Sequence, residues 1–166
     1  MFKVNDYVVY GLTGVCQIID IKKEKYLGKY EEDYYVLKPV YNSTMIIKTP
    51  VNNPKVLMRK IITKDDILSL IATMPEQDTI WIDDYRQRNE NFKSALRTGK
   101  CEELIKIIKT IYLEKKQESI IGKKLLKTDE HIMKITEKQL YEEFATALNI
   151  SPDEVVPYIR ERISTK

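Results

Sequence analysis

Val56-Leu57-Met58-Arg59-Lys60-Ile61-Ile62-Thr63-Lys64-Asp65-Asp66-Ile67-Leu68-Ser69-Leu70-Ile71 is the stretch where this chain changes character. Up to Ile62 it reads as the last of a set of strands, entered from the turn signal Asn52-Asn53-Pro54. Thr63 then offers a side-chain oxygen to cap a helix, and Asp66 supplies the acid three residues later. Ile67, Leu68, Leu70 and Ile71 supply the apolar face. A period of two giving way to a period of 3.6 predicts an α+β chain with its strands and helices segregated. Residues 1–62 are expected to form one domain and residues 63–166 another.

Working backward from this stretch, residues 4–10 are β-branched and aromatic. Gly11-Leu12-Thr13-Gly14 interrupts them, and residues 15–21 resume. A polar hairpin is expected around Tyr26-Leu27-Gly28-Lys29. Residues 33–40 follow, then a turn at Asn42-Ser43, then residues 44–49 ended by Pro50. Five short strands punctuated by Gly, Asn and Pro predict a small barrel of the SH3 or Tudor kind.

Working forward, Pro75 ends the first helix. A second is expected from Asp78 or Thr79 to Thr98, stopped by Gly99. A third, over 101–119, repeats Leu104, Ile107, Ile108, Ile111 and Tyr112 at helical spacing. A fourth, over 128–148, offers Ile132, Ile135, Leu140, Phe144 and Leu148 to the core. Ser151-Pro152-Asp153-Glu154 opens the last, which Pro157 is expected to kink or restart because its ring removes a backbone donor. The second domain is therefore all-α, with about five helices.

With 166 residues, 43% of them hydrophobic, the chain has the apolar content of folded domains rather than of a disordered segment. No apolar run approaches the ~20 residues that span a bilayer. The opening Met1-Phe2-Lys3-Val4-Asn5-Asp6 lacks the pattern of a signal peptide, so a cytoplasmic location and no membrane partner are expected. Cys16 and Cys101 make neither a disulfide framework nor a metal cluster, and His131, the sole histidine, has no second imidazole to join it. Phosphate-loop spacing fails at both Gly-Lys pairs, since Ser94 and Gln117 stand where the leading glycine belongs. No cofactor and no catalysis are expected; a binding module is.

Charge is unevenly spread within the net +3. Residues 63–85 hold one basic and six acidic side chains, whereas residues 86–127 hold twelve basic and five acidic. A basic block inside a nearly neutral chain is an electrostatic footprint for phosphate, although solvated helical lysines alone give the same count. Trp81 is the single tryptophan and stands just before this block.

Several motifs in order resemble the CarD/CdnL family of bacterial transcription regulators. They are Phe2-Lys3-Val4 with Asp6 and Val8-Val9-Tyr10, Gly14-Val15, Tyr34-Tyr35-Val36-Leu37, Lys48-Thr49-Pro50, Asn52-Asn53 and Arg59-Lys60-Ile61-Ile62. In the helical half Trp81, Tyr85, Arg86, Leu126 and Glu130 add to them. The likeness covers about residues 1–150. It implies a Tudor-like domain, shared with the transcription-repair coupling factor, that binds the RNA polymerase β subunit. It also implies a helical domain that contacts promoter DNA at the upstream edge of the melted region and stabilises the open complex of the housekeeping sigma holoenzyme. DNA contact would be weak, largely independent of sequence, and in the minor groove.

By that resemblance Trp81 is a wedge beside an unstacked base step, and Arg86 a basic DNA contact. Tyr85, Arg88, Lys93 and Arg97 are candidates for neighbouring contacts. Lys48 and Pro50 fall at the polymerase-binding strand end, and the second basic position falls at Lys23, with Glu24 as the alternative in the hairpin. The chain departs from the family at Asp83-Asp84, where others are basic, at Gly11 and Leu12-Thr13, and at His131-Ile132. A different class of reading remains: a Tudor-like adaptor whose helical domain binds another protein rather than DNA.

Overall fold

The computed structural model describes residues 1–26, 30–42 and 44–164, and it divides into two compact units, Met1–Ile61 and Ile62–Lys166. Among the described residues the first holds five strands: β1 (Tyr7–Tyr10), β2 (Gly14–Tyr26), β3 (Tyr30–Pro39), β4 (Ile47–Pro50) and β5 (Met58–Lys60). The second holds, among the described residues, five α-helices: α1 (Lys64–Thr73), α2 (Tyr85–Thr98), α3 (Cys101–Ile120), α4 (Lys127–Leu148) and α5 (Val155–Ser164). The α+β reading, a Tudor-like sheet followed by helices, therefore holds.

All pairings in the sheet are antiparallel, in the order β4-β3-β2-β1-β5, which leaves β4 and β5 at its edges. The strands are less uniform than the sequence suggests. β1 begins only at Tyr7, because Asn5 adopts a left-handed φ of 77° and Asp6 donates back to the Lys3 carbonyl at 3.0 Å. β2 and β3 instead run far past residue 21 and begin before residue 33, pairing from Cys16↔Pro39 to Tyr26↔Tyr30 with one irregularity between Ile18 and Asp20. The expected turn at Leu27-Gly28-Lys29 lies outside the described residues, as does Ser43 of the next turn. Between β1 and β2, Gly11 sits at φ 47° with room limited by Val56 Cγ1, 3.0 Å from where a Cβ would be. Val8, Cys16, Ile18, Tyr35 and Leu37 form the core, and Phe2 closes it edge-on against Tyr35.

The helical unit opens as its cap signal predicts, with Thr63 Oγ1 accepting from the Asp66 N–H at 3.1 Å. α2 begins at Tyr85, six or seven residues later than expected. The β-branched and aromatic run Thr79-Ile80-Trp81-Ile82 stays non-helical, and Asp84 caps α2 by accepting from the Arg86 and Gln87 N–H groups at 2.9 and 3.1 Å. Gly99, at φ 66°, ends the helix in the left-handed conformation that glycine tolerates best. Pro157 falls within the first turn of α5, where no intrahelical donor is needed. The chain restarts there after a 3₁₀ turn over Pro152–Glu154 rather than kinking.

Ile67, Phe92, Leu96, Leu104, Ile111, Leu140, Phe144 and Val155 centre the helical core. Two expected core residues lie outside it: Tyr112 is 55% exposed and Ile135 38%, because the apolar stripes of α3 and α4 are wider than the surface their neighbours cover. Glu143 is fully buried; it accepts from the Ile62 N–H at 2.8 Å and from the Cys101 thiol at 3.5 Å. Among the described residues no helix is long and apolar enough to cross a membrane.

Candidate functional site

Two surfaces gather the residues singled out by the sequence, one on each unit. On the sheet unit, β4 exposes an edge, since among the described residues it pairs with β3 alone. Pleating sorts its residues: Lys48 stands opposite Val36 and Pro50 opposite Tyr34, on one face, while Thr49, opposite Tyr35, is buried on the other. Lys48 Nζ lies 2.7 Å from Glu24 Oε1, with the two side chains 51% and 39% exposed. An exposed pair of this kind is worth at most about 1 kcal/mol, so the cation exchanges partners at low cost. Lys23 is exposed but, as the neighbour of Glu24 along β2, points to the opposite face, across from Asp33. The structure thus groups Lys48 and Pro50 with Glu24 and sets Lys23 apart from them.

On the helical unit, α2 separates its residues into two stripes. Arg88, Phe92 and Leu96, at i, i+4 and i+8, are buried. Arg86, Lys93 and Arg97, at i, i+7 and i+11, are exposed along a separate stripe and span about 16 Å of helix axis. Tyr85 is also exposed; its hydroxyl accepts from Arg86 Nε at 3.1 Å, and the guanidinium lies 5.7 Å from its ring centroid.

Arg88 departs from the role expected of it. The residue is 4% exposed, and its Nε and Nη2 donate to Asp129 Oδ1 and Oδ2 at 2.9 and 2.7 Å. Nη1 donates to the Ile82 and Asp83 carbonyls at 2.8 and 3.2 Å. A guanidinium so engaged has no reach to a phosphate. The hydrogen bonds to Asp129 push its pKa up, and Glu114 and Asp83 act in the same direction. Burial, reinforced by Glu118 and Asp83, raises the Glu114 carboxyl. The signal that identifies Arg88 as internal was present in the sequence: it shares helical spacing with Phe92 and Leu96.

Trp81 lies in the segment before α2, half-buried against the helical core. Its ring is tilted 57° to that of Phe92 at 6.5 Å, and the Arg88 guanidinium sits 4.1 Å above its centroid. The tryptophan is therefore a packing residue, with one face covered by Arg88; any contact it makes outside the unit is through its remaining exposed part. Asp84 spends its carboxylate on the helix cap, so the acidic pair that precedes the basic block is in part a structural feature.

An apolar hollow of about 420 Å³ lies among α3, α4 and α5, lined by Ile105, Ile108, Tyr112, Leu140 and Ile159 among others. Lys109, at its rim, donates to the carbonyls of Met74, Pro75 and Gln77 at 3.0, 3.0 and 2.7 Å. Its ammonium holds the end of α1 to α3.

Residues 2–62 match the family described as CarD-like/TRCF RID domain. A protein of Bacillus subtilis (strain 168), named "Putative transcription factor YdeB", is 26% identical over 155 residues, which cover 84% of this chain and 97% of that protein. The family likeness read from the motifs is thereby borne out.

Proposed function

From a chain that carries a CarD-like/TRCF RID domain over residues 2–62, we propose a transcription regulator that binds RNA polymerase through that domain. The partner subunit is β. The observation that carries the reading is the β4 edge, which lies wholly within the matched residues and presents Lys48 and Pro50 on one accessible face. An edge strand offers main-chain hydrogen bonds to an added strand, and flanking side chains select which strand is added. Lys48 supplies a cation that leaves Glu24 at little cost. Lys23, on the other face, makes a contact only if the partner wraps the sheet.

The helical unit contacts promoter DNA at the upstream edge of the melted region and stabilises the open complex formed with the housekeeping sigma factor. The Arg86, Lys93 and Arg97 stripe supports this, because three cations along one side of a helix suit a phosphate backbone. Tyr85 and the exposed part of Trp81 flank its first turn. Contacts of this kind position a protein on DNA without reading its sequence. The protein acts without a cofactor or chemistry of its own, in the cytoplasm at the nucleoid.

The test is capture of the polymerase β subunit by the full-length protein. Lys48→Glu is expected to weaken capture while leaving the melting temperature unchanged, and unaltered capture by that folded variant removes Lys48 from the interface. The adaptor reading is separated by retention of the same protein on duplex DNA at low salt, which the adaptor would lack.

A further inference from the structure

The four residues Trp81-Ile82-Asp83-Asp84 have neither helix nor strand to hold them, yet they carry the single tryptophan into the surface that Tyr85 and Arg86 begin. Phe92 packs against the Trp81 ring and Asp84 caps α2, but the contacts to Trp81, Ile82 and Asp83 from outside the segment's own turn centre on one side chain. Arg88 donates from Nη1 to the Ile82 and Asp83 carbonyls, lies over the Trp81 ring, and is itself fixed by the two-pronged pair with Asp129, both side chains 5% exposed. Asp129 stands in the first turn of α4, so the segment is tied through Arg88 to a different helix.

We propose that Arg88 and Asp129 act as a clamp that positions the Trp81 segment for contact with DNA. Arg88 is thus a positioning residue, acting through Trp81 without touching the nucleic acid. The planar fork is essential. A lysine keeps the charge, but its three donors sit on one nitrogen, so it cannot bridge both carboxylate oxygens, donate to two carbonyls and cover the ring together. This inference rests on the DNA-binding reading of the helical unit, but its first readout does not.

That readout is the fluorescence of Trp81, which reports on one position because the chain has no other tryptophan. Removing Arg88 alone would strand a buried carboxylate, so the informative protein is the full-length chain with Arg88→Met and Asp129→Leu together. Such paired apolar replacement of a buried ion pair is commonly tolerated by the fold. The clamp predicts that, without DNA, Trp81 emission moves to the red and acrylamide quenches it more strongly, while the melting temperature stays near wild type. On a fork-junction duplex with an unpaired strand at one end, retention should fall about tenfold, the loss of one aromatic–base contact. Arg88→Lys should show the same changes and fail to rescue; it also carries the test if the double variant melts early. Unchanged emission and quenching in either folded variant would overturn the clamp, whatever happens to DNA binding. A Trp81→Ala protein that stays folded and binds the fork as wild type would instead sink the DNA reading of this segment, and would leave the fluorescence result standing.

Discussion

A buried ion pair and a buried thiol make the clearest residue-level predictions. Breaking the Arg88–Asp129 pair from one side, as in Asp129→Ala, leaves a guanidinium sealed from water and is expected to cost about 3–5 kcal/mol in urea denaturation. Trp81→Ala removes the ring packed between Phe92 and Arg88 and should cost about 3 kcal/mol by the same measurement; near-wild-type stability would contradict that packing. Cys16 is fully buried in the sheet, and desolvation pushes its thiol up from 9.0 to about 11. The folded state therefore holds that proton more tightly than the unfolded state. Its contribution to stability is complete below pH 9.0 and is lost as pH rises toward about 11. Burial likewise raises Tyr141 from 10.0 to about 12, extending the same alkaline loss. Denaturation midpoints measured from pH 8 upward should fall across that interval, and a thiol reagent at neutral pH should reach Cys16 only after unfolding. A flat alkaline profile would contradict both burials.

The elements differ in how far the sequence announces them. Helices with local start and stop signals were legible. Thr63 caps α1 and Gly99 ends α2 as read, since capping chemistry is decided by residues a few positions apart. The start of α2 is not legible locally, because acidic residues at 78 and 83–84 offer competing caps, and the choice of Asp84 is reinforced by contacts from Arg88 that no local pattern encodes. Strand extents were the least legible. β2 and β3 continue into a polar hairpin whose pairing comes from cross-strand register rather than from alternation of apolar residues. The candidate contacts were legible in part. Arg86 and Lys93 lie exposed on one stripe, whereas Arg88 was counted among the basic block by composition although its spacing matches the core. The caps are testable at this scale: Thr63→Ala and Asp84→Ala should each lower stability by about 1 kcal/mol. Equal stability of the Asp84→Ala protein would argue that α2 starts elsewhere.

For the whole molecule, the proposed function puts recruitment on the sheet unit and DNA contact on the helical unit, and the DNA contact carries a salt signature. If Arg86, Lys93 and Arg97 each neutralise one phosphate, log affinity for duplex DNA should fall against log salt with a slope near about −2.7. A slope near zero would favour a protein partner for the helices. The most direct measurement is the lifetime of a promoter open complex under competitor challenge, with polymerase holoenzyme alone and with wild-type, Lys48→Glu or Arg86→Glu protein added. Lys48 and Arg86 are both exposed, so neither substitution should disturb its fold. Wild type is expected to lengthen the lifetime, Lys48→Glu to lose the effect together with polymerase binding, and Arg86→Glu to lose most of it while still binding polymerase. A wild-type protein that leaves the lifetime unchanged, or an Arg86→Glu protein that retains the full effect, would contradict the proposed function.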